Sequence, residues 1–195
     1  KDKNKTYFSF EIIPPFRGGS IDKIFSLVEK LMKFEPPFID LTSRSAEEYY
    51  QDDGSGNLVQ HIRRKRPGTI GISAAIKNKF NVETVPHLLC SGFSKEETED
   101  ALIELNYLGI KNVLALRGDE LRKDRNEINS KISNGYASDL VKQIKNMNEG
   151  KYLEPLIDPT KSDFCVGVSG YPEKHFEAID FKTDIKYLKE KVENG

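Results

Sequence analysis

Glu11 is the first residue whose type and position could do chemistry. It lies in the run FSFEIIPP (residues 8–15), where a β-rich segment breaks at two prolines. Its neighbours Phe8 and Phe10 are apolar, which predicts a partly dry environment, and such surroundings suit a carboxyl group to deliver a proton near neutral pH. The alternative is a strand-end glutamate paired with a lysine or arginine, and for a residue taken alone that arrangement is the commoner one.

The segment Arg117-Gly118-Asp119 directly follows the apolar run from Val113 to Leu116. Arginine offers a planar bidentate donor, glycine lets the backbone approach a ligand closely, and aspartate adds a negative charge. These residue types indicate a ligand-binding turn. The alternative is an ordinary strand-to-loop turn with a surface ion pair.

The three histidines predict no metal site. His87 lies in a predicted strand and His175 in the turn after Tyr171-Pro172, and neither has companion ligands at helical spacing. We expect His87 to be a core residue, His175 to contact a ligand and His61 to lie on the surface.

Short β-rich runs alternate with helical patterns along the chain. One helix begins with a capping box at Ser94 and Glu97 and ends at Gly109. Residues 43–68 are predicted to be irregular, with a mobile polar loop over 47–57, and residues 120–135 to form a second polar loop. Strands are predicted over residues 6–12, 38–42, 83–89, 111–116 and 164–169, and helices over 21–34, 69–80, 94–108, 136–148 and 184–193.

This alternation predicts an α/β fold built on a parallel sheet. The sequence has neither Gly-x-Gly-x-x-Gly after the first strand nor Gly-x-x-x-x-Gly-Lys-Ser/Thr, so it lacks the phosphate-binding turns of a Rossmann unit and of a P-loop. Polar residues follow the strands at their carboxyl ends, which favours a (βα)8 barrel. An open doubly wound sheet would place its crevice at the same edge and remains the alternative.

The charge balance excludes one class of partner. The chain has 30 Lys+Arg against 31 Asp+Glu, which argues against a nucleic-acid-binding protein, and the basic cluster at 63–66 is interpreted as solvated surface. No apolar run has the length of a membrane span or a signal peptide. Cys90 and Cys165 are predicted to be reduced and buried. We therefore expect a cytoplasmic protein that binds neither nucleic acid nor membrane.

Several segments together resemble one family, methylenetetrahydrofolate reductase. FSFE-x-x-PP, ALRGD and YPE-x-H-x-EA are each fairly specific, and their combination is very specific. The matching segments follow the family's order over nearly the whole chain: FSFEIIPP (8–15), FIDLT (38–42), VETVPHLLC (82–90), GIKNVLALRGD (109–119), YASDL (136–140), VSGYPEKHFEA (168–178) and DIKYLKEKVENG (184–195).

The resemblance implies a (βα)8 barrel with FAD at its carboxyl-terminal rim. It implies that 5,10-methylenetetrahydrofolate is reduced to 5-methyltetrahydrofolate by two successive hydride transfers from NADH or NADPH through flavin N5, in one-carbon and methionine metabolism. The acid that protonates the folate falls on Glu11, and an aspartate near flavin and folate falls on Asp119. The positions carried over as cofactor contacts are Thr42, His87, Arg117, Gly118, Asp119, Tyr136, Ala137, Tyr171, His175, Glu177, Ala178, Asp184 and Lys191. We also expect a homo-oligomer.

The sequence departs from the family pattern after Thr42. Ser43-Arg44-Ser45-Ala46 stand where the family commonly has an aromatic and small residues, which leaves the choice between NADH and NADPH open. The longer 43–68 segment is predicted to be an insertion on the rim of the site.

The spacing of the predicted strands indicates how many residues a complete barrel would need. They begin near residues 6, 38, 83, 111 and 163, so one βα unit takes about 39 residues and eight units would need about 310. Residues 1–195 are therefore predicted to be a single catalytic flavin-binding barrel domain with its first five βα units, truncated at its C-terminal side.

Two other functions remain open at this point. Another flavin barrel oxidoreductase, such as a proline-dehydrogenase-like enzyme, would share the fold and the cofactor. A non-catalytic assembly fragment of a reductase would keep the motifs but leave two unpaired sheet edges, which invite association.

Overall fold

A parallel sheet of five strands forms the centre of the protein. The structure, a computed structural model, describes residues 6–44, 47–63, 66, 68–118 and 132–195. The sheet contains, in spatial order, β1 (Phe10–Ile12), β2 (Phe38–Leu41), β5 (Glu83–Leu89), β6 (Asn112–Leu116) and β7 (Cys165–Val168). A separate antiparallel pair consists of β3 (Glu47–Asp52) and β4 (Leu58–Arg63).

The helices begin where local capping groups satisfy their first backbone N–H groups. Ser94 and Glu97 form the predicted capping box, and the Asp180 carboxylate accepts a hydrogen bond of 2.7 Å from the N–H of Thr183. The Asp180 cap starts the last helix earlier than the predicted residue 184. The α-helices within the described residues are α1 (Ile21–Leu31), α2 (Thr69–Phe80), α3 (Lys95–Tyr107), α4 (Ala137–Asn148) and α5 (Phe181–Glu193), and a 3₁₀ turn (Met32–Phe34) follows α1.

The order of the strands separates the two architectures that the sequence left open. Each parallel strand pairs with the next parallel strand of the chain, from Ile12 opposite Leu41 to Val113 opposite Val166. A doubly wound sheet reverses its strand order at a switch point, whereas a barrel adds its strands in sequence. The described sheet therefore has the order of an incomplete (βα)8 barrel, and the predicted α/β fold is confirmed.

The helices bury one face of the sheet. Val28 of α1 and Ile76 of α2 pack with Ile39 and Leu41 of β2 in one cluster of fully buried side chains. A second cluster joins α3 and α4 to β5 and β6, with Leu105, Ile110, Val113, Leu140 and Ile144 among its members. Because successive strand residues face opposite sides, Glu11 and its register partner Asp40 lie on the face away from these helices.

The prediction for residues 43–68 is wrong over most of its length. β3 and β4 form a hairpin in a continuous register from Glu47 opposite Arg63 to Asp52 opposite Leu58. Its turn is ordered by the two aspartates at its start, since Asp52 accepts from the N–H groups of Gly54 and Gly56 and Asp53 from that of Ser55. The strands are rich in polar residues, so the apolar alternation that marks a half-buried strand is missing from the sequence.

Two smaller expectations are also corrected. Cys165 is exposed, because it lies on β7 at the edge of the described sheet, whereas Cys90 is buried as predicted. Arg66 is half-buried rather than solvated: it donates to the carbonyl of Pro14 and lies 4.0 Å from the ring centroid of Phe16. Residues 64 and 65 lie outside the described residues, as do residues 119–131 of the predicted second loop.

Candidate functional site

A cavity of about 340 Å³ opens at the carboxyl ends of the parallel strands. Its wall combines charged and polar side chains from the strand ends with leucines from β5 and β6. The lining residues are Glu11, Thr42, Ser43, Arg44, His87, Leu89, Leu114, Leu116 and Gly118. Four of the positions predicted from the sequence therefore meet in one cavity, and they come from four different strands or strand ends.

Glu11 is held by a neighbouring strand end. The Thr42 hydroxyl donates a hydrogen bond of 2.5 Å to its carboxylate, and the Thr42 N–H donates to the carbonyl of Ile12. Glu11 is exposed, so the partly dry environment predicted for it is wrong in this state of the protein. The reason is topological, because β1 is the outermost strand of the described sheet and only β2 shields it.

His87 lies on the inner wall of the cavity and is 5% exposed. Its Nε2 atom is buried and has no hydrogen-bond partner among the described residues. The Oδ1 atom of Asp40, on β2, lies 3.8 Å from Nε2. His87 is therefore buried as predicted, but its ring is not satisfied as a packing histidine would be.

Arg117 and Gly118 continue from β6 along the rim. The guanidinium of Arg117 pairs with Glu177, with an Nη2–Oε2 distance of 2.8 Å, and its carbonyl accepts from the N–H of Ser91. Gly118 has a φ of 83°, a left-handed conformation that side chains rarely adopt. The ion pair joins the turn after β6 to the turn after β7, directly before Gly118 of the cavity wall. Asp119 lies outside the described residues, and its predicted role stays a prediction.

The segment after β7 folds into a compact turn around His175. The backbone N–H of His175 donates to the Asp184 carboxylate at 3.0 Å, and its ring lies edge-on to that of Tyr171, with a centroid distance of 4.8 Å. The N–H of Glu177 donates to His175 Nδ1, and the N–H of Ala178 to the His175 carbonyl. These contacts bring together the five predicted positions that follow β7 and precede the last turns of α5.

Lys191 reaches back from α5 to the end of β7. Its Nζ donates a hydrogen bond of 3.0 Å to the carbonyl of Ser169. Partial burial lowers the pKa of Lys191, and the positive charge of Arg117 acts in the same direction, whereas Asp184 opposes both. Two cations, Arg117 and Lys191, are thus close enough on this rim to influence one another, which is an arrangement suited to an anionic ligand.

Tyr136 is the N-cap of α4, and Ala137 is the first residue of that helix. The N–H of Tyr136 donates to the Asp139 carboxylate at 2.9 Å. Just before them, the buried amide of Asn134 donates to Gln143 Oε1 at 2.7 Å, and Gln143 Nε2 donates to the carbonyl of Lys95 at 2.7 Å. This amide relay, defined as Asn134, Gln143 and the Lys95 carbonyl, fixes the approach to α4.

Sequence reasoning missed Asp40 as a neighbour of His87 and Arg44 as part of the cavity wall. Asp40 stands inside an apolar strand, and its alternation with Ile39 and Leu41 is the signal that it faces away from the core. Within the described ranges, no group of three or more His, Cys, Asp or Glu side chains could hold a metal ion. No helix of the described chain is long and apolar enough to cross a membrane.

Comparison with known proteins identifies related chains over the whole length. The methylenetetrahydrofolate reductase family profile matches residues 1–195. The chain is 32% identical to a 5,10-methylenetetrahydrofolate reductase of Buchnera aphidicola over 98% of its own length and 53% of that relative. It is 30% identical to methylenetetrahydrofolate reductase 1 of Schizosaccharomyces pombe over 99% of its length, and 29% identical to methylenetetrahydrofolate reductase (NADH) 1 of Arabidopsis thaliana over 100%.

The lengths of these relatives differ from that of the chain. The chain spans about half of the bacterial relative, 27% of the Schizosaccharomyces protein and 30% of the Arabidopsis protein. The matched part carries the strand-end residues that meet in the cavity.

Proposed function

The chain belongs to the methylenetetrahydrofolate reductase family. We propose that the protein reduces 5,10-methylenetetrahydrofolate to 5-methyltetrahydrofolate, with bound FAD and with NADH or NADPH as electron donor. In this proposal, residues 1–195 supply the first five βα units of one flavin-binding barrel domain. The observation that carries it is the meeting of Glu11, Thr42, His87 and Gly118 around one cavity at the carboxyl edge of the sheet, where barrel enzymes build their active sites.

The described residues are chemically suited to hold FAD. The imidazole of His87 stands on the cavity wall, and Gly118 adds a stretch of backbone without a side chain beside it. Arg117 and Lys191 would balance the charge of the pyrophosphate, while Tyr136, Ala137, Tyr171, His175 and Ala178 would line the remainder. When bound, FAD supplies a carrier that accepts a hydride from the reduced nicotinamide and delivers it to the folate.

Glu11 would act as the acid in this site. The hydrogen bond from Thr42 fixes one carboxyl oxygen, which leaves the other oxygen to carry a proton toward a ring nitrogen of the folate as its five-membered ring opens. Because Glu11 is exposed, the bound substrate itself must exclude water from the carboxyl group before the proton is transferred. Asp119 would contact the folate and the flavin from the turn after β6.

The Arg117–Glu177 ion pair would hold Arg117 in place at the rim of the cavity. It holds the guanidinium at the turn after β6 while tying that turn to the segment that carries Tyr171 and His175. A bidentate arginine suits recognition of phosphate oxygens, and a partner carboxylate limits the number of side-chain conformations that must be lost on binding.

The proposal is tested by separating the two half-reactions in the purified full-length protein. Bleaching of the flavin absorbance by NADH or NADPH reports the first, and reoxidation by methylenetetrahydrofolate reports the second. Glu11→Gln should leave the bleaching rate within about twofold and slow the reoxidation by about 10²-fold or more, the usual contribution of a positioned acid. Glu104→Gln, at an exposed site on α3, is the matched control and should change neither.

Two outcomes would contradict the proposal. A folded full-length protein that binds no flavin would contradict the proposed cofactor. Equal loss of both half-reactions in Glu11→Gln would contradict the proposed role of Glu11 as the acid. Proline offered as the reductant in place of NADH or NADPH distinguishes the proline-dehydrogenase-like alternative, since only that enzyme would reduce its flavin with proline.

A further inference from the structure

The proposed function leaves one feature of the site unexplained, the buried Nε2 atom of His87. The ring is 5% exposed, and Nε2 faces away from solvent without a hydrogen-bond partner among the described residues. Buried polar atoms are nearly always paired, so an unpaired one on the wall of a cavity calls for an explanation. The proposed function places His87 against the cofactor but does not explain what its second nitrogen does.

Asp40 supplies that explanation. Its carboxylate comes from the neighbouring strand β2 and lies 3.8 Å from His87 Nε2, with 19% of the Asp40 side chain exposed. A distance of 3.8 Å is too long for a hydrogen bond, so the contact between the carboxylate and the ring nitrogen is one of charge. The register explains the contact, since Leu41 lies opposite Pro86 and Asp40 and His87 are therefore diagonal neighbours across the two strands.

The carboxylate also decides which nitrogen carries the proton. A neutral imidazole has one N–H and one acceptor nitrogen, and the tautomer follows the partner of each atom. A negative charge beside Nε2 favours the proton on Nε2. Nε2 is sealed from solvent, so we assign contact with a molecule in the cavity to Nδ1, which in this tautomer is a hydrogen-bond acceptor.

We propose that Asp40 is a positioning residue that holds the proton of His87 on Nε2 and thereby presents Nδ1 as an acceptor for a hydroxyl or N–H group of the molecule bound in the cavity. The inference rests on the proposed function only for the identity of that molecule, FAD. The tautomer itself is a property of the protein's own residues.

The test is side-chain NMR of the full-length protein labelled with ¹⁵N-histidine, with the His87 signals assigned by their absence in His87→Gln. In the wild type, His87 Nδ1 should resonate as an unprotonated nitrogen and Nε2 as a protonated one. Asp40→Leu removes the charge and should shift His87 to a mixture of tautomers or to the Nδ1-protonated form. Asp40→Asn removes the same charge at almost unchanged volume and should shift the tautomer in the same direction, whereas Asp100→Asn, exposed on α3, should leave the signals unchanged.

Flavin affinity provides the second readout. Asp40→Leu and Asp40→Asn should each weaken FAD binding about tenfold, by analogy with metal-ligating histidines, which lose about that much metal affinity when their orienting partner is removed. A wild-type His87 protonated on Nδ1 would overturn the inference, even if Asp40→Leu failed to fold. So would a folded Asp40→Leu with the wild-type tautomer. If no flavin bound while the tautomer changed as expected, the proposed function would fail and the role of Asp40 would stand.

Discussion

The amide relay before α4 should stabilise the protein far more than a surface contact does. Gln143 is 8% exposed and makes two hydrogen bonds of 2.7 Å, one accepted from Asn134 and one donated to the carbonyl of Lys95. Gln143→Leu removes both bonds while filling a similar volume. The substitution therefore tests hydrogen bonding with little change in packing.

The expected cost follows from these partners. Two net hydrogen bonds contribute about 2 kcal/mol, and the amide of Asn134, 6% exposed, would be left unpaired at a cost of about 1–3 kcal/mol. The carbonyl of Lys95 suffers less, because as the first residue of α3 it also accepts within the helix. We expect Gln143→Leu to lower the free energy of unfolding by about 3 kcal/mol, a large part of the stability of an ordinary domain.

Asn134→Leu removes one of the two bonds and leaves Gln143 Oε1 unpaired, for an expected loss of about 2 kcal/mol. The double variant replaces both partners by apolar groups and leaves no unpaired amide, so its loss should be about 2 kcal/mol, less than that of Gln143→Leu alone. The coupling energy between the two sites is therefore about 3 kcal/mol, whereas independent sites would show a coupling near zero.

Urea unfolding of the full-length protein, followed by far-UV circular dichroism, measures these differences as shifts of the midpoint at constant slope. Lys142→Leu, at the exposed position just before Gln143, is the control and should change stability by less than about 0.5 kcal/mol. Additive losses in the double variant would refute the relay as a coupled unit. A Gln143→Leu protein as stable as the wild type would refute the estimate from buried hydrogen bonds.

The remaining predictions concern the rim and the thiols. Gly118→Ala should cost about 1–2 kcal/mol in thermal unfolding, because its φ of 83° is left-handed, whereas Gly71→Ala, inside α2 with open space around its Cβ position, should stabilise by up to about 1 kcal/mol. Burial raises the pKa of the Cys90 thiol to about 12 from 9.0, so stability should fall as the pH rises from 9.0 toward 12, where the unfolded chain ionises first. Exposed Cys165 should react with a thiol reagent in the native protein before Cys90 does, and Cys165→Ser should abolish that early reaction; a Cys90 that reacts first would contradict its burial.

The helices were largely predictable because their signals are local. The capping box at Ser94 and Glu97 and the αL residue Gly109 bracket α3 within the chain itself, and periodic apolar residues mark its buried face. The hairpin was not predictable by the same means. β3 and β4 are held by their mutual register, which is a relation between two segments rather than a pattern within one.

The candidate site was also predictable only in part. Local order along the chain was enough to place Glu11, Thr42, His87 and Arg117 at strand ends, because parallel strands present their carboxyl ends at one edge. Packing between strands decided the rest: that Glu11 is exposed at the outermost strand, that Asp40 faces His87 across β2 and β5, and that Arg117 reaches Glu177 sixty residues further along. Residue types and their alternation thus determine which side chains face the site. Their distances, partners and exposure arise only when strands far apart in sequence become neighbours, since electrostatic and hydrogen-bonding energies depend on separations that no single segment contains.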